Sequence, residues 1–240
     1  MNKIQFDNNN FILYAPDSLS HVYKNLERIL DERLELYKGL FDVDSFHKVE
    51  IYYFDNKEEF HQCLRALIGE EAIPEYATGS FYKGNIYAYI DPSIKETDDM
   101  FTKREHLAAH ELYHIMSEEL IYSKTRQERI TWFEEGCAQF FSGEKEREIT
   151  TDFADWFRKV KTETKEIPEL NNLAHGSEFK TDDYNGYDLS LLAVKNLYDR
   201  LGYECFKRIM TNSSSILRNG EGIIEESFLF YGISLGTKIR

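Results

Sequence analysis

Apolar residues recur at helical spacing along some stretches of the chain and crowd into short runs along others. Between residues 21 and 41 they recur every three or four positions, which predicts an amphipathic helix. Residues 48–54 (KVEIYYF) predict a strand. Asn56, with Glu59 at the capping-box position, predicts the start of a second helix that runs to about Ile68.

The pattern changes after residue 92, and this change predicts the fold class. Residues 78–90 are rich in aromatic side chains around Lys83-Gly84-Asn85, which predicts two strands joined by a tight turn. Beyond them the periodicity is helical, and Gly202 ends the fourth of the helices predicted over residues 100–119, 127–142, 152–162, 186–201 and 203–211. Strands followed by helices indicate an α+β fold. We expect one domain with two lobes, residues 1–117 with a small mixed sheet and residues 118–240 mostly helical, enclosing a cleft.

Charge and composition narrow the possible partners. The 240 residues carry a formal net charge of -14, which disfavours nucleic acid and anionic membrane surfaces as partners. The three cysteines form no CxxC pair, as is typical of a reducing compartment. The N-terminus lacks the pattern of a signal peptide, and no apolar run approaches the roughly 18 residues of a membrane span. These features predict a cytoplasmic protein.

The segment with the clearest chemistry is His110-Glu111-Leu112-Tyr113-His114, inside a predicted helix. Histidines four residues apart share one helix face, so both imidazoles can reach one metal ion. Glu111 follows the first of them and has the position of a general base. Zinc suits this arrangement, because it lowers the pKa of a bound water to about 7. The alternative is a helix that carries three histidines, His106 included, by chance.

A catalytic zinc site needs a third protein ligand. The pattern HExxHxxGxxH is absent, because residues 117 and 120 are serine and leucine. A second predicted helix carries Glu134 and Glu135 in the run WFEEGCAQFF, beside the small residues Gly136 and Ala138, which we expect to let the HExxH helix approach closely. The faces of this helix favour Glu135 as the ligand. Glu134 is the second candidate, and both glutamates could instead be solvated.

The two motifs together resemble the gluzincin (peptidase MA-like) zinc metallopeptidases, which include thermolysin-like peptidases and bacterial collagenases. The similarity to WFxEGxAEFFAG in the collagenase catalytic module covers residues 132–143, and a looser likeness extends over about 78–210. The resemblance implies one catalytic Zn²⁺ with Glu135 as its third ligand. At position 139 the family commonly has a carboxylate that supports a zinc-bound histidine, whereas this chain has Gln139.

The resemblance also implies a reaction, namely hydrolysis of a peptide or protein substrate with Glu111 as the base. The expected oxyanion donors are Tyr187 and Tyr184, with His175 as a further candidate. The predicted strand pair at 78–90 could offer an edge to an extended peptide. Relatives that remove N-terminal residues carry a GxMEN segment in this region, which this chain lacks, and we therefore expect an endopeptidase.

Two other functions fit the same residues. One is a non-catalytic zinc-containing protein with a degenerate metallopeptidase fold that binds a peptide or a partner. The presence of Glu111 argues against it, because a structural metal site has no use for a base. The other is a hydrolase that acts on a non-peptide amide, which the sequence does not separate from a peptidase.

Overall fold

The fold is described from a computed structural model, which describes residues 3–69, 77–98, 100–125, 129–169, 179–211 and 219–235. The chain divides into two compact units. The first comprises Met1–Leu120 together with Phe141–Glu144, and the second comprises Ile121–Phe140 together with Lys145–Arg240. A mixed sheet and many helices confirm the predicted α+β class. The predicted lobe boundary after residue 117 stays a prediction.

A five-stranded mixed sheet lies in the first unit. Its strands are β1 (Lys3–Asp7), β2 (Phe11–Ala15), β3 (Val49–Phe54), β4 (Gly79–Tyr82) and β5 (Asn85–Tyr89). Their order in the sheet is β1-β2-β3-β5-β4. The β1–β2 and β4–β5 pairs are antiparallel, whereas β2–β3 and β3–β5 are parallel. The predicted strand 48–54 and the predicted strand pair at 78–90 are therefore confirmed, and β4 is an edge strand among the residues that the structure describes.

Helices of the first unit precede and follow these strands. A 3-10 turn at Asp17–Leu19 leads into α1 (Ser20–Tyr23), α2 (Leu26–Phe41), α3 (Lys57–Ile68), α4 (Phe101–Glu105) and α5 (Leu107–Ser117). The Asn56 side chain accepts a hydrogen bond from the Glu59 N–H at 3.1 Å, so the predicted cap of α3 is confirmed. The helix predicted over 21–41 is interrupted between α1 and α2, and the one predicted over 100–119 is interrupted at His106.

The two faces of the sheet bury different side chains. Leu13, Ile51 and Ile86 lie in register and are fully buried, and α5 packs against β4, β5 and α2. On the alternate positions, Tyr14, Tyr52 and Tyr87 stack as a ladder, and the helix α3 packs on that row. Because successive side chains of a strand point to opposite faces, the strands contribute one set of residues to the packing around α5 and the other set to the packing around α3.

The second unit is helical in the part that the structure describes. A π-helical turn at Glu118–Tyr122 leads from α5 into the second unit. The helices that follow are α6 (Ser123–Thr125), α7 (Thr131–Ser142), α8 (Glu146–Ile149), α9 (Phe153–Glu163), α10 (Gly186–Thr211) and α11 (Gly220–Ser234). The last two residues of α7 belong to the first unit. Gly202 has a positive φ of 72°, which breaks α10 as predicted. A Cβ atom on Gly136 would lie 2.5 Å from the Ser190 carbonyl oxygen, so the close neighbour of this glycine is α10.

Several elements were missing from the sequence-based prediction, among them two strands and the last helix. Strands β1 and β2 went unrecognised because FILYA in β2 is apolar at every position, although the structure buries only alternate residues. Helix α11 was missed because its apolar residues also occupy exposed positions, with Ile233 73% exposed. None of the helices among the described residues is both long and apolar enough to cross a membrane.

Candidate metal centre

Helix α5 places the HExxH motif in a largely buried environment. Ten of its eleven residues are buried, His110 being the exception. The hydroxyl of Tyr37 on α2 donates a hydrogen bond to the Ala109 carbonyl at 3.0 Å, which ties the two helices together one residue before the motif. Because charged and polar groups are stabilised less by solvent in such surroundings, the side chains in this turn need specific partners.

The two motif histidines face each other as predicted. Their Nε2 atoms lie 3.2 Å apart. His114 is 4% exposed, and the His110 side chain is 12% exposed. Two nitrogens bound to one tetrahedral zinc at ~2.05 Å would lie about 3.3 Å apart. The spacing of the imidazoles therefore matches one edge of a zinc coordination tetrahedron.

Glu111 lies beside the edge strand of the sheet. It is 7% exposed, and a Cβ atom added to Gly79 of β4 would lie 2.4 Å from its Oε1. Two residues along the same strand, the Phe81 ring stacks near the His114 ring with their centroids 6.2 Å apart. The strand β4 therefore runs past Glu111 and His114, and a side chain at position 79 would require the Glu111 carboxylate to move.

The two glutamates of α7 have different surroundings. His110, His114 and Glu135 form a group that could hold a metal ion, with one ligand atom from each within 4.8 Å of the others. Glu134 is 1% exposed and accepts a hydrogen bond from the Tyr122 hydroxyl at 2.7 Å. Burial raises the pKa of Tyr122, and the Glu134 carboxylate raises it further, so the tyrosine keeps its proton as the donor. Glu134 is thus neither solvated nor in the metal group.

Gln139 makes contacts that a carboxylate could not make. Its Nε2 donates hydrogen bonds to the Tyr187 carbonyl at 3.0 Å and to the Glu135 carbonyl at 3.3 Å. A carboxylate has no proton to donate at neutral pH, so it would face these two oxygens without a bond. The amide at this position therefore holds the first turn of α10 against α7.

A carboxylate that the sequence analysis missed lies behind the first histidine. Glu144 Oε2 is 3.3 Å from His110 Nδ1, on the side of the ring away from His114, and its side chain is 1% exposed. Glu144 follows the end of α7 and matches neither motif. No spacing rule could have identified it, because its position depends on the turn after the helix.

The predicted oxyanion donors lie in the second unit. Tyr187 is in the first turn of α10, and its ring contacts the Phe179 ring with a centroid distance of 4.9 Å. The backbone of Tyr184 bonds to Thr181, because the Tyr184 carbonyl accepts from the Thr181 N–H at 3.0 Å. These local settings leave both catalytic roles as predictions. His175 lies outside the described residues.

Comparison with known proteins adds no family to this description. No protein-family model matches the chain, and a search of curated proteins finds no match. The likeness to gluzincins therefore stays a prediction that rests on the two sequence motifs.

Proposed function

We propose that the protein is a zinc-dependent metallopeptidase, with His110, His114 and Glu135 as metal ligands and Glu111 as the general base. The observation that carries the proposal is the 3.2 Å separation of the two Nε2 atoms on a buried helix. The proposed location is the cytoplasm, and the proposed substrate is an internal bond of a peptide or protein.

The donor set fits zinc better than the other common protein metals. Two imidazole nitrogens and one carboxylate are a frequent ligand set of catalytic zinc, with the fourth position left for water or substrate. Calcium and magnesium prefer oxygen ligands in larger number. The ligand atoms of His110, His114 and Glu135 are close enough to one another to share one ion.

The chain's own residues would then perform the proton transfers. Bound zinc would polarise the scissile carbonyl and acidify the attacking water. Glu111, next to the first ligand, would accept the proton of that water and pass it to the leaving amine. Tyr187 or Tyr184 would donate to the oxyanion. Because Glu111 is nearly buried, its carboxylate would act in surroundings where a proton transfer competes little with bulk water.

The edge strand supplies a place for an extended substrate. Among the described residues, β4 pairs with β5 on one side and has no strand on the other. A peptide added along that free edge would gain backbone hydrogen bonds, as in other cases of strand addition. Because Gly79 and Phe81 of β4 lie beside Glu111 and His114, the backbone of a peptide paired with β4 would pass close to both side chains. This geometry favours a peptide over a small amide as the substrate.

The test combines metal content with hydrolysis of an unstructured protein. Wild type should hold about one zinc per chain and cleave the substrate. Glu111→Gln should keep the zinc and lose at least about 10²-fold in rate, the contribution typical of a general base. Glu105→Gln is the matched control. Glu105 lies in α4, the helix before α5, and accepts a hydrogen bond from Asn25, so this variant should leave both readouts unchanged.

Two results would reject the proposal in different ways. Zinc in both proteins without hydrolysis by either would identify a zinc-containing binding protein. Wild-type chains that bind no zinc would remove the metal centre altogether.

A further inference from the structure

We propose that Glu144 is a positioning residue for His110: its buried carboxylate holds the proton on Nδ1 and so directs the Nε2 lone pair towards the metal. This inference rests on the proposed zinc function. It assigns a role to a residue that lies outside both sequence motifs.

The Glu144 carboxylate lies near the ring nitrogen of His110 that does not face His114. Glu144 Oε2 lies 3.3 Å from Nδ1 of His110, while Nε2 of the same ring lies 3.2 Å from Nε2 of His114. A neutral imidazole carries one proton, so a carboxylate at Nδ1 selects the tautomer with its lone pair on Nε2. A metal ligand needs that lone pair, and a carboxylate behind the ring also raises its basicity.

The segment that carries Glu144 is fixed in place by contacts with the rest of the first unit. The Ser142 carbonyl lies 2.7 Å from Nδ1 of His106, one helical turn before His110. Gly143 has a φ of +88°, and a Cβ atom there would lie 2.5 Å from Arg33 Nη2 and 3.0 Å from His106 Cε1. Only glycine meets both conditions. The third histidine of the run therefore serves the turn that presents Glu144.

Two arginine side chains bear on the charge of the Glu144 carboxylate. A buried carboxylate needs compensating cations. Burial lowers the pKa of Arg104, and the negative charge of Glu144 opposes that change, so the two groups interact. The guanidinium of Arg33 lies against Gly143, the residue before Glu144. The guanidinium of Arg33 thus lies at the turn that carries Glu144, and the charge of Glu144 acts on Arg104.

The test measures zinc affinity and the imidazole tautomer separately. Zinc affinity, measured by competition with a chelator, should fall about 10–100-fold in Glu144→Ala and less in Glu144→Gln, which keeps a neutral acceptor. In metal-free wild type, nitrogen NMR of the histidine rings should show His110 protonated at Nδ1, and Glu144→Ala should reduce that form. Glu119→Gln removes a carboxylate from a different histidine, His47, and should change neither readout.

A second pair of variants keeps the test decisive if Glu144→Ala does not fold. His106→Asn retains a donor for the Ser142 carbonyl and should keep near wild-type zinc affinity, whereas His106→Leu should weaken it. Unchanged zinc affinity in a folded Glu144→Ala protein, or an unchanged tautomer, would overturn the proposal. If wild type binds no zinc, the proposed function fails, yet the tautomer measurement still decides the role of Glu144.

Discussion

Polar side chains are buried around α5 in the first unit and around α7 in the second unit, but their partners differ. In the second unit Glu134 accepts from Tyr122, so an acceptor meets a donor. In the first unit two imidazole nitrogens face each other at 3.2 Å. Burial of a polar group therefore does not by itself mark a functional site. The proposed site differs in that ligand atoms of two histidines and a glutamate lie close enough to one another to share one cation.

The sharpest test of this comparison substitutes the two neighbouring glutamates of α7 one at a time. Glu135→Ala should lower zinc affinity by more than about 100-fold, because a metal ligand should matter more than the groups that support ligands. Glu134→Gln is the control, since it keeps an acceptor for the Tyr122 hydroxyl and lies outside the metal group. Chelator competition measures both, and the assignment of the third ligand would be wrong if the two variants bound zinc equally.

A second change separates the base from the metal. Gly79→Ala would place a methyl group 2.4 Å from Glu111 Oε1, and the flexible side chain would have to move. Misplacement of a catalytic group by about 1 Å can lower a rate 10²-fold, so we expect a loss of about that size with zinc content unchanged. Ser80→Ala, at the next position of β4, should retain activity. Full activity of Gly79→Ala would show that Glu111 is not the base.

The smallest expected effect lies in the second unit and should leave zinc affinity unchanged. Gly136→Ala would place a Cβ atom 2.5 Å from the Ser190 carbonyl and 2.7 Å from Val194 Cγ2, so we expect a loss of about 1–3 kcal/mol in the free energy of unfolding. Gly222 lies within α11, and the nearest atoms to a Cβ there belong to the movable Asn219 side chain. Gly222→Ala should therefore raise the free energy of unfolding by about 0.5–1 kcal/mol. Denaturant titration compares them, and equal unfolding free energies would contradict the packing argument.

The parts of the molecule that the sequence predicted are those governed by local spacing. The cap of α3, the turn between β4 and β5 and the alignment of His110 with His114 each follow from residues within one turn of one another. The contacts of His106 with Ser142 and of His110 with Glu144 do not, because each joins residues more than 30 positions apart. The neighbour of Gly136 in α10 was likewise not predicted, while the expected approach of the HExxH helix to this glycine stays a prediction.

The strands at the N-terminus show a second limit of pattern reading. Every residue of β2 is apolar, so the sequence shows no alternation, and only pairing with β1 and β3 defines which side chains are buried. The same holds for the two glutamates of α7. Their sequence context is nearly identical, and the hydroxyl of Tyr122, twelve residues before Glu134, distinguishes them.

The most direct measurement is X-ray absorption spectroscopy at the zinc edge on protein loaded with one equivalent of zinc. The proposed centre predicts a four-coordinate ion with two imidazole ligands at about 2.0–2.1 Å, oxygen in the remaining positions and no sulfur. Loss of one imidazole contribution in His114→Ala would locate the ion at the motif. A spectrum with cysteine sulfur, or with no imidazole scattering, would contradict the account.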